Sequence, residues 1–173
     1  MEIIGKLTSS EYSEALSEIK KVPLNLNVEG WFRDLGDRHD KRYGYSYSGN
    51  DYKEVITVDR SGGTPLVWVE DFPNWLSKIK DVYYKDSNSA VLVYGNKAIN
   101  TTTEVGWHKD DGLYAPMVVT VNFGIANFYI RGNKNIPTML EEGTVLKFDS
   151  SIQHRCEQVS EERYVIQFRK TKK

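Results

Sequence analysis

The chain has 173 residues, 39% hydrophobic and 27% charged, which suits one domain with a sizeable core and leaves too little for two domains and a linker. With 23 basic and 24 acidic residues the net charge is −1, so no global field draws the protein toward nucleic acid or an anionic membrane, and any polyanion must be held by a local patch. A single cysteine, Cys156, excludes an internal disulfide framework and reads as a small buried hydrophobe; with no apolar run of spanning length and no signal-peptide or transit character, a cytoplasmic monomer is expected.

Two helices are expected first. "TSSEYSEALSEIKKV" has Thr8 and Glu11 at capping-box spacing, followed by Tyr12, Ala15, Leu16 and Ile19 along one face. "EDFPNWLSKIKDVYY" sets Asp71 ahead of Pro73 in the first turn, and Trp75, Leu76, Ile79, Val82 and Tyr83 then keep helical periodicity. Between them, residues 31–65 interleave Trp31, Phe32, Tyr43, Tyr45, Tyr47 and Tyr52 with charges and turn residues, which predicts a long hairpin or a lid. The three tyrosines of "YGYSYS" alternate with period two, so one face of an ordinary hairpin explains them as well as a ligand does.

Beyond Ser87 the sequence reads as strands: "SAVLVYG", "EVGWH", "PMVVTVNFG", "NFYIRG", "GTVLKFD" and "RYVIQFR", with Gly112, Gly124, Gly132, Gly143 and a "DSS" run marking turns. This pattern predicts a mostly β, α+β fold, a sandwich or jelly roll with helices on one side.

In "WHKDDG", His108 and Asp110 stand two residues apart, on one face of a strand, and a second histidine, His154, follows the strand "TVLKFD". Two histidines and one carboxylate with further positions open form the facial triad of non-haem Fe(II) oxygenases, which hold a co-substrate and O2 together where a closed zinc site does not. In "ERYVIQFRK", Arg163 and Arg169 lie six residues apart on the strand face that also carries Val165 and Gln167. Two guanidiniums so placed suit a short dicarboxylate held between them.

The order His-x-Asp, His, Arg-x5-Arg on short strands behind a helical N-terminal part resembles the AlkB-like branch of the 2-oxoglutarate- and Fe(II)-dependent dioxygenases, over about residues 40 to 170. The resemblance implies a double-stranded β-helix core covered by the N-terminal helices, one domain over 1–173, and 31–65 as a substrate lid. It implies that His108, Asp110 and His154 bind Fe(II), that Arg163 holds the distal carboxylate of 2-oxoglutarate, and that Arg169 lies near the iron-bound end. Such enzymes carry Asn-x-Tyr ahead of the His-x-Asp strand; here Asn96 fits, no tyrosine follows it at that spacing, and Tyr94 stands in from the same strand. The implied reaction consumes 2-oxoglutarate and O2, gives succinate and CO2, and hydroxylates or demethylates a nucleobase in methylated DNA or RNA. Tyr45, Tyr47 and Trp107 are then the stacking candidates, with Asp111 or Glu104 for polar contacts. A hydroxylase of a protein side chain or small metabolite is the alternative, and a catalytically silent binding module on the same fold is a third reading.

Overall fold

In the computed structural model the described residues are 1–27, 38–46, 66–99, 104–110, 112–132 and 136–172. The elements are β1 (Glu2–Lys6), α1 (Ser9–Ile19), β2 (Asn25–Asn27), β3 (Arg38–Ser46), β4 (Val67–Glu70), α2 (Asn74–Tyr83), β5 (Ser89–Asn96), β6 (Val105–His108), β7 (Met117–Phe123), β8 (Ala126–Ile130), β9 (Thr138–Leu140), β10 (Thr144–Asp149), β11 (His154–Gln158) and β12 (Glu162–Arg169), with a 3-10 turn at Lys97–Ile99. The strands form a large sheet in the order β1-β10-β7-β12-β5-β3-β2, with β4 also on β3, and a small sheet in the order β6-β11-β8-β9. Every described pairing is antiparallel.

Alternation along the strands divides the core into two layers. On β7, Val119, Val121 and Phe123 face the helices and pack with Ile166 and Phe168 of β12, Leu92 of β5, Ala15 and Ile19 of α1, and Leu76 and Ile79 of α2. Val118 faces the other way and joins Leu146 and Phe148 of β10 against Phe128, Ile130 and Leu140 of the small sheet. Fully burying each of these valine, leucine, isoleucine and phenylalanine side chains contributes about 1.5–3 kcal/mol. The chain is thus a mostly β jelly roll with two helices on the outer face of its large sheet. Among the described residues no helix is long and apolar enough to cross a membrane.

The first helix begins as its sequence predicts: the Glu11 N–H donates to Thr8 Oγ1 at 3.2 Å, and the Glu11 carboxylate accepts from the Thr8 N–H at 2.8 Å. The second differs in detail. Pro73 stands at its N-cap without a side-chain cap, while Asp71 accepts a hydrogen bond from the Trp68 indole at 2.7 Å, and Val82, expected on the buried face, is 70% exposed.

The six strands expected after Ser87 are present, and β1, β2, β9 and β11 join them. The interval 31–65 is only partly a candidate lid. Its residues 38–46 form β3, which pairs with β5 over six positions and with β2 and β4 on its other side, so they are integral to the sheet. The remainder of the interval lies outside the described residues. A bulge at Gly44 separates the tyrosines: Tyr43 is buried and Tyr45 is 39% exposed. Gly44 has φ +69°, and a Cβ there would collide with the Asn88 carbonyl, so only glycine turns the strand at this point.

Candidate metal centre

Strand pairing brings the two distant histidines together, because β11 runs antiparallel to β6 with His154 directly opposite His108. Their ring centres are 4.3 Å apart. Asp110, just past β6, is held by its backbone N–H donating to the Ser150 carbonyl at 3.0 Å. Its Oδ1 stands 3.4 Å from His108 Nε2 and 3.7 Å from His154 Nε2, and one ligand atom from each residue lies within 4.8 Å of the others.

The ring nitrogens are already sorted. His108 Nδ1 lies 2.7 Å from the Gly106 carbonyl and His154 Nδ1 lies 2.9 Å from the Ile152 carbonyl. A carbonyl only accepts, so each Nδ1 carries a proton and each ring presents its Nε2 toward Asp110. Main-chain acceptors behind metal-binding imidazoles fix tautomer and orientation in this way. His154 is buried between Phe128 and Phe148, with ring centres at 5.8 and 4.8 Å, whereas the His108 side chain is 35% exposed. The centre therefore opens to solvent on the β6 side.

Arg169 completes the carboxylate's environment. Its guanidinium stands 3.2 Å from Asp110 Oδ2, donates to Gln167 Oε1 at 2.9 Å and lies over the Tyr114 ring at 5.2 Å. Oδ2 is thereby occupied and Oδ1 left toward the histidines. Burial by itself would raise the Asp110 pKa, but Arg169 foremost, with His108 and His154, holds it down at about 2. His154 is lowered below the usual imidazole range, chiefly by burial and then by the His108 and Arg169 charges, against the opposing pull of the Ile152 carbonyl and Asp110. Near neutral pH the cluster is one carboxylate and a neutral buried imidazole, the protonation states a metal needs. The N2O donor set suits a divalent first-row ion such as Fe(II).

Deeper between the sheets lies Arg163, 2% exposed. It sits level with Gln158, whose amide donates to the Gly95 carbonyl at 3.3 Å, and Gly95 is the residue opposite Arg163 in the ladder. From His154 to Gln158 is four strand steps, or roughly 13 Å. Arg163 Nε donates to Asn122 Oδ1 at 2.7 Å, and the Asn122 amide donates to the Leu140 and Glu141 carbonyls at 3.2 and 3.1 Å. Space for the arginine depends on its glycine neighbour: a Cβ on Gly124, whose φ is +118°, would stand 3.2 Å from the Arg163 Cβ and 2.6 Å from Ser160 Oγ. A buried cation is thus fixed on the strand face that carries Arg169 at its other end.

Other expected site residues fall elsewhere. Tyr94 is opposite Tyr164 in the ladder, lies tilted against it with ring centres 4.7 Å apart and packs against the helix-side core, and Asn96 donates to its hydroxyl at 2.9 Å. Both occupy the sheet face opposite Arg163, so the structure does not bring them to the co-substrate position. Trp107 precedes His108 in a strand and consequently points outward, not into the pocket. Tyr45 lies at the Arg169 end of the large sheet, where its carbonyl accepts from Tyr114 at 3.4 Å, but its ring meets Trp68 edge to face at 5.2 Å on the outside. Tyr47 and Asp111 lie outside the described residues. Asn122, Gln167, Tyr114 and Ser150 were not anticipated. Of these, Asn122 had a signal, a lone amide within the apolar run "PMVVTVNFG".

No family model matches the chain, and no curated protein matches it. Two solved structures align over 94% of it: a bsmA homolog from Methylobium petroleophilum PM1, with 10% identity, 82% of that chain covered and a TM-score of 0.54, and an oxidoreductase of the 2OG-Fe(II) oxygenase family from Burkholderia pseudomallei, with 12% identity, 78% covered and a TM-score of 0.53. The fold is shared with that oxygenase. A structure of the DMSP lyases RdDddP and RnDddQII aligns with 49% of this chain at 17% identity and a TM-score of 0.37, and this chain spans 38% of its length.

Proposed function

We propose that this chain is a 2-oxoglutarate- and Fe(II)-dependent dioxygenase. The observation that carries the reading is a His108–Asp110–His154 cluster with its Nε2 and Oδ1 atoms converging at one end of a jelly roll and a buried cation, Arg163, on the same interior face. His108, Asp110 and His154 would hold the iron, and Arg163 would bind the distal carboxylate of 2-oxoglutarate. When bound, iron and 2-oxoglutarate supply O2 activation coupled to oxidative decarboxylation, with succinate and CO2 as products. The protein's own contributions are positional. Gly106 and Ile152 carbonyls hold the imidazoles in the metal-binding tautomer. Arg169 keeps Asp110 ionised and directs one oxygen inward. Asn122 anchors Arg163, fixing the cation before co-substrate enters. Phe128 and Phe148 keep water from the His154 side.

For the second substrate we favour a nucleobase of methylated DNA or RNA, as in AlkB-like enzymes, with N-demethylation releasing formaldehyde. Support comes from the centre's opening beside His108, next to aromatic and arginine side chains on β6, β8 and β11. The alternative, hydroxylation of a protein side chain or metabolite, is favoured by the net charge of −1. Purified protein with Fe(II), ascorbate, O2 and 2-oxoglutarate, offered methylated single- and double-stranded oligonucleotides, separates them. Succinate and formaldehyde rising together with one oligonucleotide supports the demethylase; slow succinate formation indifferent to every oligonucleotide favours the alternative; no succinate under any condition removes the dioxygenase reading.

A further inference from the structure

The outward face of the small sheet carries a cluster that the metal centre does not use. Alternation sets Trp107 of β6, Arg155 of β11, and Tyr129 and Arg131 at the end of β8 on the side opposite His108, His154 and Phe128. The Arg131 guanidinium lies 5.2 Å from the Trp107 ring centre and that of Arg155 lies 5.6 Å from it. Arg155 also covers the Tyr129 ring at 4.0 Å, and the two aromatic rings meet edge to face at 6.4 Å. Glu157 is the acid of this cluster; it accepts from the Tyr129 hydroxyl at 2.8 Å and stands 3.8 Å from Arg155. Arg131 is exposed and has no ion-pair partner among the described residues, and Arg155 Nε is a buried donor without an acceptor there.

Both helices pack against the large sheet, so among the described residues neither covers this face. Two guanidiniums outnumber one carboxylate, and they hold two half-buried aromatic rings between them. Aromatic planes interleaved with arginines match a ligand that alternates flat bases with phosphates. The platform also has a definite relation to the metal centre. Trp107 and His108 are consecutive on β6, about 3.8 Å apart at Cα, and β6 is the edge strand of its sheet, where the centre opens.

We propose that this outer face is a docking platform for single-stranded nucleic acid, with bases stacked on Trp107 and on the Arg155 guanidinium that covers Tyr129, and phosphates met by Arg131 and Arg155. A strand lying along it reaches the mouth of the metal centre at the β6 edge. Duplex, whose bases are already stacked, binds more weakly. This inference rests on the nucleic-acid reading of the substrate and extends it from the pocket to the surface that would present the strand.

Fluorescence anisotropy of a labelled 12-nucleotide single strand, titrated with the intact protein in EDTA and without 2-oxoglutarate, reads the platform independently of the chemistry. Wild-type binding should weaken with salt, and removing both guanidiniums (Arg131→Ala with Arg155→Ala) should reduce the slope of log affinity against log salt by about 1.4. Trp107→Ala should weaken binding about tenfold. Arg131 is exposed, so Arg131→Glu alone tests the platform with little risk to the fold, which a melting curve checks. No binding by the wild type, or equal binding by Arg131→Glu and Trp107→Ala, overturns the platform. Succinate formation without oligonucleotide binding removes the platform and keeps the dioxygenase; binding that follows the platform variants in a protein that makes no succinate supports the platform and removes the chemistry.

Discussion

Asp110→Asn tests the electrostatics of the centre without any metal. The substitution keeps shape and the backbone hydrogen bond to Ser150 but removes the charge that Arg169 and both histidines surround. In the folded chain the carboxyl is held at about 2 instead of an ordinary aspartate's 3.8, a gap equivalent to about 2 kcal/mol of preference for the ionised form. Because the folded value is depressed, this contribution is fully present above about pH 4 and is lost as pH falls toward 2. Urea unfolding in EDTA at pH 7 should therefore find Asp110→Asn about 2 kcal/mol less stable, a loss of about 4–8 °C in Tm for a chain of this size. At pH 3 the gap should narrow. Equal stability at pH 7, or a gap that stays constant from pH 7 to 3, would show that the Asp110 charge does not stabilise the fold.

Arg163→Ala should weaken 2-oxoglutarate binding at least 30-fold, as truncating one partner of a buried charge pair costs about 2–5 kcal/mol; calorimetric titration with Mn(II) in place of iron measures it. Lysine at the same position should restore part of the loss. Gly124→Ala should destabilise the fold by about 2 kcal/mol, since φ is +118° and the new methyl meets Ser160 and Arg163; a melting point within a degree of wild type would contradict that. Tyr94→Phe should leave 2-oxoglutarate affinity unchanged, because the ring belongs to the helix-side layer, and a tenfold weakening would return Tyr94 to the site.

What the sequence disclosed follows from how far each inference reached along the chain. The strands of the second half were legible because "AVLV", "MVVTV" and "YVIQF" combine β-branched and aromatic residues with clear turn signals. β11 was not, because "HRCEQ" has no apolar alternation and is a strand through its ladders with β6 and β8. β1 is five residues long and pairs with β10, more than 130 residues away, a contact that no local pattern announces. The metal cluster was legible as chemistry, since its residue types and the i, i+2 spacing are local, and antiparallel pairing of β11 with β6 then supplied the proximity. Arg163 and Arg169 were placed on one strand face by parity alone. Tyr94 was misplaced because its face depends on which residue of β12 it opposes, a register the sequence does not contain. Trp107 faces away from the metal centre for a simpler reason: in a strand the neighbour of an inward histidine points outward, and that was readable from "GWH".

In the proposed function, metal and 2-oxoglutarate share one site at the His108–Asp110–His154 end of the sandwich. Anaerobic titration of 2-oxoglutarate into the protein, with and without Mn(II), measures this directly. One equivalent of 2-oxoglutarate should bind tightly only when the metal is present, 2-oxoglutarate should strengthen metal binding by the same factor, and His154→Ala should abolish the coupling. Equal 2-oxoglutarate affinity with and without metal, or coupling retained in His154→Ala, would contradict a shared site.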